Sequence, residues 1–386
     1  MSAIYETSIA EEQLRRFGFG DYLDTASLRR LRGISYLSTM DRIYDQRQTY
    51  SRYEHSVGVG YVALLLARQL HLSDDQLRTL VLINLTHDTG HVAFSHAAET
   101  FLLERFRRYH DGLKRRLFVG LGIPERLSKE SECVATSVND YVSTRKTSDT
   151  LLNMICGCSL NCDRVEGTNR SLFALNEEHI DPEILISALE VEENRLLLKR
   201  ELLPLVQQFW RRQEFLYEKY IYTYEVLAAE AMLTRALELA FRQFTDDDAK
   251  TVFLTLSDQE ATEHMKADKI AGDLVDALRD RRYFSSLASQ FPELVEQYEP
   301  QARRVRFDPV GRKQIEMAIS RRIDCRPELG ITHFSYRKHF RTDDVSLAQL
   351  SLFEGEAFVS AERFNRSIYK TNKSGEVFDI FVPRSC

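Results

Sequence analysis

Three histidines and an aspartate fall within ten residues, in the run His87-Asp88-Thr89-Gly90-His91-Val92-Ala93-Phe94-Ser95-His96. The adjacent His87 and Asp88 offer a metal one nitrogen and one oxygen from a single turn of backbone. The carboxylate can also bridge to a second metal or hold a water. That is the start of a hydrolytic centre, in which a bound ion acidifies water and polarises a phosphoryl oxygen. His55, in Ser51-Arg52-Tyr53-Glu54-His55-Ser56-Val57-Gly58, and Asp163, in Asn161-Cys162-Asp163-Arg164-Val165-Glu166, are further candidate ligands. Imidazoles mixed with carboxylates suit Mn, Fe, Zn, Co or Ni, whereas sites for Mg or Ca draw on oxygen alone. Taken singly, His55 also reads as a capping or core histidine and Asp163 as a helix N-cap. His91 follows His87 by four residues and shares its face if a helix persists. Glu99 stands three residues after His96, and Asp111 follows His110. A histidine backed by a carboxylate suits a general acid that must stay protonated.

The elements that must position these groups read mostly as helices. Ser27–Met40 and Val57–Leu70 carry apolar residues at helical spacing. Ser73-Asp74-Asp75 caps a helix over Gln76–Leu85. Asp88-Thr89-Gly90 interrupts it, and a helix is expected to resume over Ala93–Arg107. Ile184–Lys199 reads as a hairpin turning at Glu192-Glu193-Asn194-Arg195. Glu201–Phe244 returns to long helices whose aromatic stripe, including Phe209, Trp210 and Tyr220, reads as core. Helices continue to about Phe291. Phe364–Val382 alternates around Asn372-Lys373-Ser374-Gly375, a hairpin turn signal. The fold class is therefore mainly α, with small β-hairpins and a smaller mixed α/β C-terminal region. A change of character at 245–250 divides the chain into a core over 1–245 and a C-terminal region over 246–386, a candidate for oligomerisation or regulation. Cys156, Cys158 and Cys162 have zinc-like spacing but no evident fourth ligand, and read as buried packing residues.

Composition narrows the class. The chain has 386 residues, 43% of them hydrophobic, enough for a sizeable core. A net charge of −6 argues against nucleic acid as the main partner. No apolar run approaches the roughly 20 residues that cross a bilayer, and the N-terminus lacks a secretory h-region. Six cysteines in a chain of this length do not make a disulfide framework, so a cytoplasmic location is expected.

The motifs resemble those of the deoxynucleoside triphosphate triphosphohydrolases, within the HD-domain superfamily of metal-dependent phosphohydrolases. Ser51-Arg52-Tyr53-Glu54-His55-Ser56-Val57-Gly58-Val59 is similar to that family's S-R-F-E-H-S-L-G-V word. His87 to His96 is similar to its H-D-x-G-H-x-P-F-S-H word, and Leu28-Arg29-Arg30-Leu31-Arg32-Gly33-Ile34 to its L-R-R-I-x-Q-L segment. The likeness covers about residues 28–112 and 160–166, and loosely 184–245. It implies an HD-domain helical core with His55, His87, Asp88 and Asp163 as ligands of a divalent transition metal, a second metal such as Mg being an option. It implies Arg52 and Arg164 near the α-phosphate, with His91, His96 and His110 as active-site histidines. His91 then also contacts substrate, His96 is the proton donor to the leaving oxygen, and Glu99 orients it. The reaction implied is attack of an activated water on the α-phosphorus of a dNTP, giving deoxynucleoside and triphosphate. A homo-oligomer with an allosteric nucleotide is expected, serving dNTP pool control or antiviral defence. The pattern departs in two places. Gly167 stands where the family has a tyrosine against the sugar, and Ser171 where an aspartate binds the 3′-hydroxyl; Glu166 and Arg170 are tolerable replacements or matches. The family word M-Y-x-x-V-Y-x-H-K is also degraded, because Leu216–Tyr224 holds no histidine, and the arginine expected before it is Arg211 or Arg212, slightly displaced. The alternatives are an HD nucleotidase or phosphodiesterase for another nucleotide, and a nucleotide-sensing module without turnover.

Overall fold

The Arg52–Gln69 helix is the centre of the molecule. Every residue from His55 to Leu64 along it is buried, so it has no solvent face and is packed all round. Its first turn is fixed by a capping box: the Ser51 hydroxyl accepts the Glu54 N–H, and the Glu54 carboxylate accepts the Ser51 N–H at 2.7 Å. The Thr7–Arg16, Asp74–Leu85 and Cys162–Ala174 helices pack against it. Two glycines permit close approach. A Cβ on Gly60 would lie 3.2 Å from Leu85 Cδ1, and one on Gly58 would lie 2.1 Å from Glu166 Oε1. The structure is a computed structural model and describes residues 6–106, 110–158, 160–305, 308–325, 329–338, 358–360 and 374–383.

The mainly α architecture follows the hydrophobic pattern. Asp74–Leu85 starts at Ser73, with Gln76 completing a second capping box. Leu203–Leu216 and Tyr224–Phe241 form the later long helices, joined by a π turn over Tyr217–Ile221. Phe209 and Trp210 are buried in the main apolar cluster with Cys158 and Cys162. Glu193 and Asn194 have φ of 48° and 61°, so they form a two-residue turn of the mirror-image kind that suits strand twist. That turn joins Leu189–Glu192 to Arg195–Lys199, and Phe358–Ser360 adds to the same sheet. Among the described residues, no helix is long and apolar enough to cross a membrane.

The structure corrects four local readings. Ile184–Ile186 is helical rather than extended, because Asp181 caps a helix with Pro182 in its first turn. Ser27–Met40 is broken into short turns, because the backbone pairs with another segment. Tyr36 N–H donates to Tyr50 C=O, and Arg52 N–H donates to Ile34 C=O, both at 2.8 Å. Ser374–Val382 pairs with the distant strands Ile331–Lys338 and Ser285–Ser286, and Phe364–Lys373, the other half of the expected hairpin, lies outside the described residues. Ser374 and Gly375 lie in that strand, opposite Lys338 and Arg337, and the rest of the turn signal, Asn372-Lys373, lies outside the described residues. The fourth correction lies in the metal motif: no helix resumes at Ala93. Phe94 and Ser95 both take left-handed backbone angles, φ 63° and 53°, which side chains with a Cβ resist. A 3₁₀ turn over Ser95–Ala98 and the Glu99–Phe106 helix follow.

One apolar cluster crosses residue 245 without a break. It joins Val92, Phe101 and Leu117 to Leu227–Phe241, Phe253, Leu274, Ile331 and Phe381. Residues after 245 therefore help to hold the metal motif. The clearest case is Asp258, in the first turn of the Asp258–Lys266 helix that Ser257 caps. Its carboxylate accepts the Phe94 N–H at 2.6 Å and the Ser35 N–H at 2.9 Å. Burial pushes this carboxyl up to about 6, although the two backbone donors oppose the shift. Between pH about 4 and about 6 the folded protein therefore holds a proton that the unfolded chain has released, so wild-type stability falls as pH rises through that window. Melting temperatures of wild type and Asp258→Asn, compared across this range, should differ more in favour of wild type at the acid end. A difference that does not change with pH would contradict this.

Candidate metal centre

Three elements bring four donors together. His55 sits in the first turn of the Arg52–Gln69 helix. His87 and Asp88 lie in the turn after Leu85. Asp163 is the second residue of Cys162–Ala174, whose N-cap Asn161 accepts the Arg164 N–H. His55 Nε2 lies 3.2 Å from both His87 Nε2 and Asp163 Oδ1. His87 Nε2 is 3.1 Å from Asp88 Oδ1 and 3.4 Å from Asp163 Oδ1, and His55 Nε2 is 3.6 Å from Asp88 Oδ2. A metal with bonds of about 2.0–2.2 Å sets neighbouring donors about 3.0–3.5 Å apart. His55, His87 and Asp88 therefore offer donors mutually close enough for one ion, with Asp163 Oδ1 beside both imidazoles.

The histidines are held so that their inner nitrogens face this centre. His87 Nδ1 is 2.6 Å from the Asn84 carbonyl oxygen, which fixes Nδ1 as the protonated nitrogen and leaves the Nε2 lone pair inward. His55 Nδ1 is 2.5 Å from Glu166 Oε2, and Arg170 Nε donates to Glu166 Oε1 at 2.5 Å. Outer nitrogens on acceptors and inner nitrogens on a shared point are the usual support of metal-ligating histidines.

Charge follows the same pattern. Burial alone would favour a neutral His55, but Glu166 first, then Asp163 and Asp88, push it up to about 9. Burial raises the Asp88 carboxyl, and His87, His91 and Arg52 together overcome this and hold it well below the carboxylate range. Arg52 is itself buried, donating from Nη1 to Asp88 Oδ2 at 2.7 Å and from Nε to Ser95 Oγ at 2.5 Å. The Asp163 side chain is 55% exposed, so the centre opens to solvent on its side. Desolvation opposes its ionisation, but His87 and His55 hold that carboxyl well below the carboxylate range.

The remaining sequence candidates divide. His91 is buried, with Nε2 3.3 Å from Asp88 Oδ1. His96 is exposed, its Nδ1 3.1 Å from Glu99 Oε1, and its ring meets the edge of His91 at 4.6 Å. Arg164 places its guanidinium over the Trp210 ring, 5.3 Å from the centroid. His110 begins the His110–Gly120 helix, and its side chain lies outside the described residues. At Gly167 the space is taken: the Tyr36 hydroxyl stands 2.8 Å from where a Cβ would be and donates to the Gly167 carbonyl at 2.9 Å. The Tyr36 ring lies 4.5 Å from that of His55, and Ser171 Oγ is 3.4 Å from its hydroxyl.

Sequence reasoning missed the supports. Arg30 Nη2 donates to the carbonyls of Thr89 and His91, at 3.0 and 2.5 Å, which pins the turn that carries Asp88. Glu166 and Arg170 were legible as helical neighbours of Asp163, three and seven residues on. Tyr36 and Asp258 left no local signal.

Gly58 makes the Glu166 support feasible, since its missing Cβ leaves room for the buried Glu166–Arg170 pair. In an ordinary mid-helix position Gly→Ala gains about 0.5–1 kcal/mol. Here the clash reverses the sign, so Gly58→Ala should melt at lower temperature and bind divalent metal more weakly. A thermal melt and a metal titration check this, and a stabilised variant with unchanged affinity would contradict it.

Comparison with known proteins agrees with this geometry. Residues 52–140 match the model of the HD domain. A deoxynucleoside triphosphate triphosphohydrolase SAMHD1 homolog of Dictyostelium discoideum is 29% identical over 99 residues, covering 23% of this chain and 19% of that protein. The Mus musculus deoxynucleoside triphosphate triphosphohydrolase SAMHD1 is 33% identical over 92 residues, covering 22% of this chain and 14% of its own length. An uncharacterized protein of Mycoplasma genitalium is 21% identical over 219 residues, about half of each chain (51% and 50%). The chain thus spans half or less of these relatives. Two solved structures share the whole fold: a hypothetical protein from Aquifex aeolicus (TM-score 0.68, 20% identity, 95% of this chain and 92% of that one) and a phosphohydrolase from Bacteroides thetaiotaomicron (TM-score 0.67, 18% identity, 95% and 96%). The segment that matches the HD domain contains His55, His87 and Asp88 of the candidate centre.

Proposed function

We propose that the chain hydrolyses a nucleotide phosphoester, foremost a deoxynucleoside triphosphate, with water, to deoxynucleoside and inorganic triphosphate. The observation that carries hydrolysis is the clustering of His55 Nε2, His87 Nε2 and Asp88, with Asp163 Oδ1 beside both imidazoles and the outer nitrogens of the two histidines already engaged. The choice of dNTP rests on the partial likeness to the SAMHD1 proteins. A divalent transition metal held by these four residues supplies, when bound, an acidified water and positive charge at the phosphoryl oxygens. The chain's own groups do the rest. Arg52 holds Asp88 in place and lends its charge through it. Arg164, beside the open Asp163, brings a cation to the phosphates. His91, His96 and Glu99 form the electrophilic side, which neutralises the charge that develops on the leaving oxygen.

A second reading has its own support. Tyr36 fills the space over Gly167, and Ser171 is turned toward the Gly167 carbonyl at 2.8 Å. A site so altered beside the metal favours an HD nucleotidase or phosphodiesterase acting on another nucleotide. A sensor without turnover needs no group on the leaving side, and the His96–Glu99 pair argues against it. An oligomer regulated by a nucleotide and a division of labour at 245 belong to the same proposal, as does a cytoplasmic role in dNTP supply or defence.

Product analysis decides between these readings. Incubated with each dNTP and NTP plus Mn²⁺, the protein should release nucleoside and triphosphate. Monophosphate with pyrophosphate, or diphosphate with phosphate, would favour the second reading, and binding without turnover would favour the sensor. The double substitution His87→Ala and Asp88→Ala should abolish this turnover. His96→Ala should retain the metal held by His55 and His87 yet slow turnover by about 10²–10⁴-fold. An unchanged rate would remove His96 from the leaving side.

A further inference from the structure

The strained residue Phe94 lines a cavity of about 150 Å³, none of whose lining residues belongs to the candidate metal centre. Phe94, Ala229, Leu233 and Leu278 form its apolar wall. A space of this size admits a molecule of about benzene's bulk. Asp41, in the Met40–Ile43 turn, and Asp258 supply two carboxylates to the same cavity. Asp258 accepts the N–H groups of Phe94 and Ser35. Asp41 accepts the Ser35 hydroxyl and, at 2.8 Å, the Gln46 side-chain amide. Each carboxylate thus has lone pairs to spare, since it can accept about four hydrogen bonds. Neither has an ion-pair partner among the described residues. Burial raises both carboxyls, and the Asp41 charge raises that of Asp258 further. Arg42 opposes both shifts but is exposed. Tyr283 also lines the cavity. It is 7% exposed, and its hydroxyl has no hydrogen-bond partner among the described residues.

The cavity therefore combines an apolar wall, two under-compensated carboxylates and an unused hydroxyl. A nucleotide is polyanionic and far larger, so it has the wrong sign and size. A hard metal ion needs oxygen ligands all round, which the apolar wall does not supply. An organic ammonium ion matches both halves, with three N–H donors for the oxygens and a carbon body for the wall. We propose that this cavity binds a small organic ammonium ion, and that the bound ion is coupled to the metal centre through the turn at Phe94. The route is short. The ligand touches Phe94 itself and Asp258, which holds the Phe94 N–H, while Ser38 holds the Phe94 carbonyl at 2.6 Å. The next residue, Ser95, bonds Arg52, which bonds Asp88. An occupied cavity steadies this chain of contacts and so favours metal binding. The coupling rests on the proposed metal centre, whereas the binding does not.

Benzylammonium tests the binding, with benzyl alcohol and benzoate as neutral and anionic counterparts, each titrated calorimetrically into the full chain. Benzylammonium should bind about tenfold or more tightly than either counterpart, because only it pairs with the carboxylates. Asp41→Asn, in a half-buried turn, should weaken it by about tenfold. Ala229→Leu should abolish binding by filling the cavity. No binding of benzylammonium at millimolar concentration overturns the site. Equal binding of all three compounds, or a preference for benzoate, overturns its assignment to a cation. Benzylammonium binding that is unchanged in both variants places it elsewhere and also overturns the site. The coupling is read from hydrogen exchange at the Phe94 N–H and from Mn²⁺ affinity. Saturating benzylammonium should slow the exchange and tighten Mn²⁺ about fivefold or more. Binding that leaves both unchanged overturns the coupling. A chain that binds benzylammonium with slowed exchange at Phe94 but takes up no Mn²⁺ supports the cavity site and defeats both the coupling and the proposed function.

Discussion

The hydrogen bond between Glu166 and His55 is the constraint on which the centre depends. Both groups are fully buried, and a buried carboxylate survives only with its oxygens engaged. One oxygen of Glu166 takes His55 Nδ1 and the other takes Arg170 Nε. That arrangement turns His55 Nε2 toward His87 and Asp163. It also ties the Cys162–Ala174 helix, which carries Asp163, to the Arg52–Gln69 helix, which carries His55. Gly58 exists in the space this contact requires.

A second constraint is the turn after Asp88. Two non-glycine residues in left-handed conformation are costly, and the surroundings must over-determine them. Arg30 holds the carbonyls of Thr89 and His91, Asp258 the N–H of Phe94, Ser38 its carbonyl, and Arg52 the hydroxyl of Ser95. These clamps come from the N-terminal segment, the central helix and a helix beyond residue 250. Arg52 closes the circuit, because the guanidinium that fixes Ser95 also pairs with Asp88. Arg52 thus bears on both the backbone of the motif and the charge of its central ligand, beside the other clamps.

Much of this was legible in the sequence, for physical reasons. The donor types of His55, His87, Asp88 and Asp163 are visible as letters, and the capping boxes at Ser51 and Ser73 are local signals within four residues. The mainly α class follows from helical spacing of apolar residues. What failed was whatever long-range contacts decide. The left-handed turn at Phe94 depends on Asp258, 164 residues away, and helical spacing from Ala93 pointed the wrong way. Tyr36 enters the space above Gly167 across 131 residues, so a missing side chain was legible while its replacement was not. The pairing of Ser374–Val382 with Ile331–Lys338 is equally non-local.

The central claim is that His55, His87 and Asp88, with Asp163 beside them, are placed to hold one metal. Anomalous diffraction from crystals grown with Mn²⁺ tests it most directly. The account predicts a peak about 2.0–2.3 Å from His55 Nε2, His87 Nε2 and an oxygen each of Asp88 and Asp163. Manganese bound elsewhere, with that position vacant at saturating metal, would contradict it.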